Sequence, residues 1–137
     1  MRRDENGRRR RLLVVDDQEE MRGTLSRMLW LEGFEVILAA TGSRALELLG
    51  TAFFDLVLLD VHMPDVDGFT VLSKIRERPE SFTLPVIMLT GADDRDSVLR
   101  SKQLGISDYL VKPYRVTDLL SRIDRCLDNA PKLLSCA

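Results

Sequence analysis

The stretch "RLLVVDDQEE", residues 11–20, decides how the rest of the chain is read. Four consecutive apolar residues, Leu12 to Val15, predict a short strand buried on both faces, the kind found in parallel sheets with helices on each side. The strand runs directly into Asp16 and Asp17. Adjacent carboxylates repel one another, and each is further destabilised if it loses water, so this placement requires a compensating partner.

Outward from this stretch the same pattern recurs. "FEVILAA" (34–40), "FDLVLLD" (54–60), "LPVIMLT" (84–90) and "DYLV" (108–111) predict four more strands, and a helical pattern follows each. The first helix carries Met21, Leu25, Met28 and Leu29 at helical spacing and stops at Gly33. Thr41 caps a helix with Ala45, Leu46, Leu48 and Leu49; Asp67 caps one with Phe69, Leu72 and Ile75 inward. The fourth helix is predicted to use Val98 and Leu99 as its apolar face, flanked by Lys102, and to run to Gly105. The fifth places Val116, Leu119, Leu120, Ile123 and Leu127 on one face. Strict alternation of five strands and five helices, joined by right-handed crossovers, predicts an α/β fold: a doubly wound five-stranded parallel sheet in a three-layer sandwich.

Composition sets limits on function. A chain of 137 residues fits one domain, and 45% hydrophobic with 31% charged residues is an ordinary globular balance. No apolar run approaches the ~18 residues needed to cross a bilayer. The N-terminus lacks the apolar region of a secretory signal. A cytoplasmic location and no membrane partner are therefore expected. Charge is uneven: residues 1–11 hold six Arg against Asp4 and Glu5, a net +4, which leaves −6 on the rest of a chain whose net charge is −2. The acidic body argues against nucleic acid as the main partner. Residues 1–10 read as a disordered, solvated basic leader that could touch nucleic acid or acidic lipid. Residues 11–129 read as the folded domain and 130–137 as a short tail. Met1 and that tail suggest a stand-alone protein, the alternative being a piece of a longer regulator. Cys126 reads as a small core or boundary residue and Cys136 as part of the tail. With one His and two distant Cys, no zinc-type ligand spacing exists.

In a doubly wound sheet, ligands bind beyond the carboxyl ends of the strands. The residues there are Asp16, Asp17, Asp60, Thr90 and Lys112. Three carboxylates converging at one edge repel unless a cation sits among them. Oxygen-only ligands at a shallow edge suit Mg²⁺ or Mn²⁺. Lys112 adds a positive charge and Thr90 a hydroxyl. Together they suit a transferred phosphoryl group, with a carboxylate as nucleophile. Each position also has a plain structural reading: Asp16 and Asp17 favour a helix N-terminus, Asp60 starts a turn, Thr90 ends a strand, and Lys112-Pro113 forms a turn. His62 alone reads as a loop residue, and Met63 and Met88 as packing. An entirely structural account must place all of these polar groups at one edge by accident.

The motifs "VVDDQE", "LVLLDVHMPDVDGF", "VIMLTG" and "DYLVKPY", in this order, resemble those of the receiver domains of two-component response regulators, over about residues 11–129. The resemblance implies the flavodoxin-like strand order 2-1-3-4-5 and Asp60 as phosphoacceptor, supplied by a phosphohistidine on a sensor histidine kinase or histidine phosphotransfer protein. It implies that Asp17 holds Mg²⁺ directly, Asp16 directly or through water, and Asp60 and the backbone carbonyl of His62 complete the protein ligands. Lys112 would pair with the phosphoryl group, aimed by a cis peptide before Pro113. Thr90 would be the switch hydroxyl and Tyr109 the switch aromatic. Output would go to a downstream protein, or to a second copy through the fourth helix, fifth strand and fifth helix. His62 and Ala92 would flank the path of attacking water and bear on phosphate lifetime. The domain would be a signalling phosphoacceptor that assists its own phosphorylation and dephosphorylation, not a turnover enzyme. Two other classes compete. A Mg²⁺-dependent phosphatase with an Asp nucleophile would want a second acid where His62 stands. A nucleotide-binding module would want a Gly-rich loop where the two carboxylates stand.

Overall fold

The computed structural model describes residues 2–91 and 95–128. Ala92, Cys136 and the tail 130–137, each given a role or place by the sequence, lie outside the described residues. The elements alternate as β1 (Arg11–Val15), α1 (Glu19–Leu31), β2 (Glu35–Ala39), α2 (Gly42–Thr51), β3 (Leu56–Asp60), α3 (Gly68–Glu77), β4 (Val86–Thr90), α4 (Arg95–Leu104), β5 (Asp108–Val111) and α5 (Val116–Asp128). All neighbouring strands pair in parallel, in the order β2-β1-β3-β4-β5.

Strand pleat sorts the side chains into two cores. Leu13, Val15, Val57, Leu59, Val86 and Met88 face a layer holding Ala45 of α2 and Phe69, Val71, Leu72 and Ile75 of α3. Leu12, Val14, Leu56, Leu58, Ile87, Leu89 and Leu110 face Leu25 and Leu29 of α1 and Leu119 and Ile123 of α5. The three central strands are buried nearly throughout, which is why they read as unbroken apolar runs; the edge strands β2 and β5 are only partly covered. The expected caps form: the Thr41 hydroxyl accepts from Arg44 N at 3.1 Å and the Asp67 carboxylate from Thr70 N at 2.9 Å. Gly33 ends the first unit with φ of 102°, a left-handed conformation that costs glycine nothing.

Four expectations are corrected. Strands β3 and β4 begin two residues later than predicted, because Asp55 is used to accept from Arg11 N at 2.8 Å and Pro85 has no N–H to give a ladder. Helix α4 does not bury an apolar face: its buried residues are Ser97 and Ser101, with the Ser101 hydroxyl donating to Ser97 O at 2.7 Å, while Leu99 is exposed. Satisfying a hydroxyl against its own helix makes a serine admissible in a buried layer. In α5, Val116 is likewise exposed, whereas Leu119 and Ile123 are buried. Finally, residues 2–10 are not a solvated leader. Asp4 N donates to Arg8 O, Arg10 N to Arg2 O, and Arg3 bridges Arg9 in antiparallel fashion, so a hairpin precedes β1. It is held by the Arg2 guanidinium, which pairs with Glu32 at the end of α1 (2.6 Å) and Asp124 of α5 (3.2 Å). Arg2, by finding carboxylates at two helices, ties the stretch to the domain, while Arg3 and Arg8 stay exposed.

Candidate functional site

The site is built by continuing the pleat past the strand ends. Asp16 follows Val14 by two, Asp60 follows Leu58 by two, and Lys112 follows Leu110 by two, so all three inherit the face that packs on α1 and α5. Thr90 follows Met88 by two, and Tyr109 lies opposite Met88 in the β4–β5 register, so these two inherit the other face. One rule of strand geometry thus separates a carboxylate–lysine group from a threonine–tyrosine pair.

The first group converges. Lys112 Nζ lies 3.5 Å from Asp60 Oδ2 and 3.9 Å from Asp16 Oδ2. Asp16 is fully buried, Asp60 is 7% exposed, and Asp17 is exposed at the rim. Carboxylate oxygens of Asp16, Asp17 and Asp60 all lie within 4.8 Å of one another. Asp16 Oδ1 accepts from Gln18 N at 2.9 Å, but its buried Oδ2 has no hydrogen-bond partner. A buried carboxylate oxygen with no donor, beside two further carboxylates, fits a hard divalent cation as the missing partner. Burial raises the pKa of Asp60 above its ordinary value; the nearby Lys112 opposes this, Asp16 reinforces it, and the His62 N–H, 3.4 Å from Oδ1, opposes it. His62 is an exposed residue whose backbone N–H reaches toward Asp60.

The loop after β3 is held close to the acid. Gly68 N donates to Val61 O at 2.9 Å, and a β-carbon at Gly68 would collide with Asp60 O and stand 2.9 Å from Val61 Cα. Asp65, in the same loop, accepts from Gly42 N and Ser43 N at the start of α2. The backbone N–H of Val66 and then the Ser43 hydroxyl hold its carboxyl down at about 2. The peptide before Pro113 is cis. Next to it, Tyr114 packs on the α1/α5 core with its hydroxyl buried and unpartnered; burial first, then the charges of Asp16 and Asp60, raise its pKa. Gly68, Asp65 and Tyr114 received no role from the sequence. The signal for Gly68 was the "DVDG" turn; a buried hydroxyl without a partner has no signature in sequence.

The second group is arranged differently. Thr90 is 1% exposed, and its hydroxyl donates to Gly91 O at 3.4 Å. The Tyr109 ring is half-buried with Lys102 Nζ 5.2 Å from its centre. It borders an open cavity of about 320 Å³ shared with Val98, Leu99 and Val111.

Comparison with known proteins gives one answer. The model of the response regulator receiver domain matches residues 12–124. The chain is 37% identical over 123 residues to a probable transcriptional regulator ycf27 of Cyanidium caldarium, covering 90% of this chain and 48% of that protein. It is 40% identical over 110 residues to the transcriptional regulatory protein CpxR of Escherichia coli, covering 80% of this chain and 46% of the relative. It thus spans about half the length of the curated relatives it matches. Among solved structures, it is similar to a putative response regulator from Chloroflexus aurantiacus (33% identity, TM-score 0.84, covering 88% of this chain and 98% of that one). It is similar also to the chemotaxis protein CheY4 of Vibrio cholerae (33%, TM-score 0.80, covering 85% and 97%). With the fold, the strand order and four ordered motifs in agreement, this chain belongs to the response regulator receiver domains of two-component signalling.

Proposed function

We propose that Asp60 accepts a phosphoryl group from a phosphohistidine on a sensor histidine kinase or histidine phosphotransfer protein, and that this switches a protein-interaction surface. The observation that carries this reading is the pocket in which Lys112 Nζ stands 3.5 Å from Asp60 Oδ2 and the carboxylates of Asp16 and Asp17 lie alongside. A nucleophile, a cation and spare oxygen ligands occupy one place. An Asp60 oxygen forms the new O–P bond as the donor's N–P bond breaks, and the electron pair returns to the donor imidazole, which takes up a proton. Lys112 neutralises an oxygen of the transferred group, and the Thr90 hydroxyl donates to another. Asp16, Asp17 and Asp60, with the backbone carbonyl of His62, would hold Mg²⁺, or Mn²⁺ in its place. When bound, the ion supplies charge neutralisation for the carboxylates and the incoming phosphoryl oxygens.

The receiver acts as a phosphoacceptor that assists its own phosphorylation and dephosphorylation, in the cytoplasm, and not as a turnover enzyme. Among the described residues no helix is long and apolar enough to cross a membrane. Movement of Thr90 toward the phosphoryl group frees space for the Tyr109 ring to turn inward. The face of α4, β5 and α5, where Leu99, Val111 and Val116 are exposed, then changes shape for a downstream protein or a second copy.

The test is intact-mass analysis after incubation with acetyl phosphate and Mg²⁺. Wild type gains one phosphoryl group; Asp60→Asn and wild type in EDTA do not. Labelling of Asp60→Asn at the wild-type rate refutes the assignment of the nucleophile.

A further inference from the structure

The basic stretch that the phosphoacceptor reading leaves unused lies at the opposite edge of the sheet. The acid site is at the carboxyl ends of the parallel strands; the arginine hairpin leads into the amino end of β1. Four large apolar side chains share that amino edge: Leu31 (77% exposed), Phe53 (74%), Trp30 (54%) and Phe82 (53%), the four most exposed large apolar residues among those described. Their order along the edge follows the sheet. Trp30 and Leu31 precede β2, the hairpin precedes β1, Phe53 precedes β3 and Phe82 precedes β4, and these strands are consecutive neighbours. The hairpin is joined to both sides of this row. Arg9 stacks on the Trp30 ring at 4.4 Å and donates to Trp30 O at 3.2 Å, and Arg11 donates to Phe53 O at 3.5 Å. Arg2, Arg10 and Arg11 are paired with carboxylates, whereas Arg3 and Arg8 are exposed.

We propose that this amino edge is a docking face for an anionic lipid bilayer. Three features select that occupant. The hairpin offers positive charge at this edge: Arg3 and Arg8 are exposed and Arg9 lies on the Trp30 ring, while the cluster of Asp16, Asp17 and Asp60 lies at the far edge. An anionic plane attracts these arginines and repels that cluster, which favours contact through the amino edge. The apolar residues project from separate elements, the end of α1 and the connections before β3 and β4, with guanidinium groups between them. Such a row of tips suits insertion into a headgroup layer, where aromatic rings sit at the interface and arginines reach phosphates. Leu31, the most exposed of the four, has no π-face to stack on a base, so its position favours acyl chains over nucleic acid. Docked in this way, the receiver holds Asp60 away from the bilayer and open to a phosphoryl donor. From sequence the arginines read as a solvated leader that could touch nucleic acid or acidic lipid, with no membrane partner expected for the domain; the folded hairpin is what brings the arginines and the apolar tips together.

Trp30 is the only tryptophan, so its fluorescence reports on the proposed face itself. The full chain is titrated with vesicles of phosphatidylcholine alone and of phosphatidylcholine mixed with phosphatidylserine, by Trp30 emission and by co-sedimentation. The expected result is a blue shift and sedimentation with the anionic vesicles only, weakening as salt is raised. Arg3→Glu with Arg8→Glu should lower partitioning at least about tenfold. Leu31→Ser with Phe53→Ser should lower it several-fold while leaving salt dependence in place. Both pairs of positions are exposed, and circular dichroism identical to wild type shows that they fold. No blue shift, equal binding to neutral vesicles, or tighter binding to a single-stranded RNA or an acidic peptide than to the anionic vesicles overturns the proposal.

Discussion

At Asp60 two effects oppose one another. Burial and the neighbouring Asp16 disfavour its charge, while Lys112 and the His62 N–H favour it, and the net direction is a raised pKa. A carboxyl whose folded pKa lies above its unfolded value costs stability once ionised, because the folded state binds the proton more tightly. Asp60→Asn should therefore melt at a higher temperature than wild type at neutral pH in EDTA, although it loses phosphorylation. A lower melting temperature would mean that the Lys112 pair outweighs burial. Tyr114 offers a second residue-scale test. Its hydroxyl is buried without a partner, so Tyr114→Phe removes an unsatisfied group and no hydrogen bond. Thermal unfolding should place it within about 1 kcal/mol of wild type or above it; a loss of several kcal/mol would show that the hydroxyl has a role. At Cys126, burial first and then the charge of Asp108 push the thiol up to about 11. Roughly one molecule in a thousand is then thiolate at pH 8, so peptide mapping should find Cys126 alkylated far more slowly than a free thiol.

At the scale of elements, connections do as much as strands to place the acid. The loop from β3 to α3 approaches β3 so closely that Gly68 has no room for a β-carbon beside Asp60 O and Val61 Cα. Gly68→Ala should cost about 1–3 kcal/mol in denaturant unfolding and slow phosphorylation, since relief moves the backbone of Asp60 itself. An unchanged midpoint would show that the loop yields freely. Below this layer, Arg76 of α3 donates to the carbonyls of Gly105 (2.6 Å), Leu84 (2.7 Å), Phe82 (3.1 Å) and Ser81 (3.3 Å). Burial lowers its pKa to about 10, which leaves it charged at neutral pH. Arg76→Met removes the donor to four backbone carbonyls in one step, and should cost about 3 kcal/mol or more. The same guanidinium joins α3 to the connections before β4 and β5, so the loss should appear as early amide exchange in those connections.

Across the whole molecule, the pleat divides the work. Asp16, Asp60 and Lys112 share the α1/α5 face, while Thr90 and Tyr109 share the face toward α4, where serines rather than apolar residues fill the buried side. A helix anchored by Ser97 and Ser101 buries less apolar area than its neighbours, and weakly anchored elements are the ones that shift. Coupling of ~1–3 kcal/mol between Asp60 and the face of α4, β5 and α5 suffices to bias two states. Thr90→Ala should still accept phosphate at Asp60 but respond less at that face. Partner binding or self-association, with and without beryllofluoride, measures this. An equal response in both proteins would place the switch elsewhere.

Several features were legible in the sequence because they depend on local chemistry. Short apolar runs bounded by turn signals read as strands of a covered parallel sheet, as β1, β3 and β4 are; Thr41 and Asp67 cap helices through bonds three residues long; and five strands alternating with five helices leave few topologies. From that topology the carboxyl-edge position of Asp16, Asp17, Asp60, Thr90 and Lys112 followed directly. Other features required the tertiary structure, because they depend on partners distant in the chain. The arginine stretch reads as disordered until Glu32 and Asp124, on two different helices, come within reach of Arg2. Val98, Leu99 and Val116 read as buried until packing of α4 and α5 leaves Leu99 and Val116 at the surface and turns Ser97 and Ser101 inward. Periodicity reports which residues share a helix face, but only the neighbouring elements decide which face is covered.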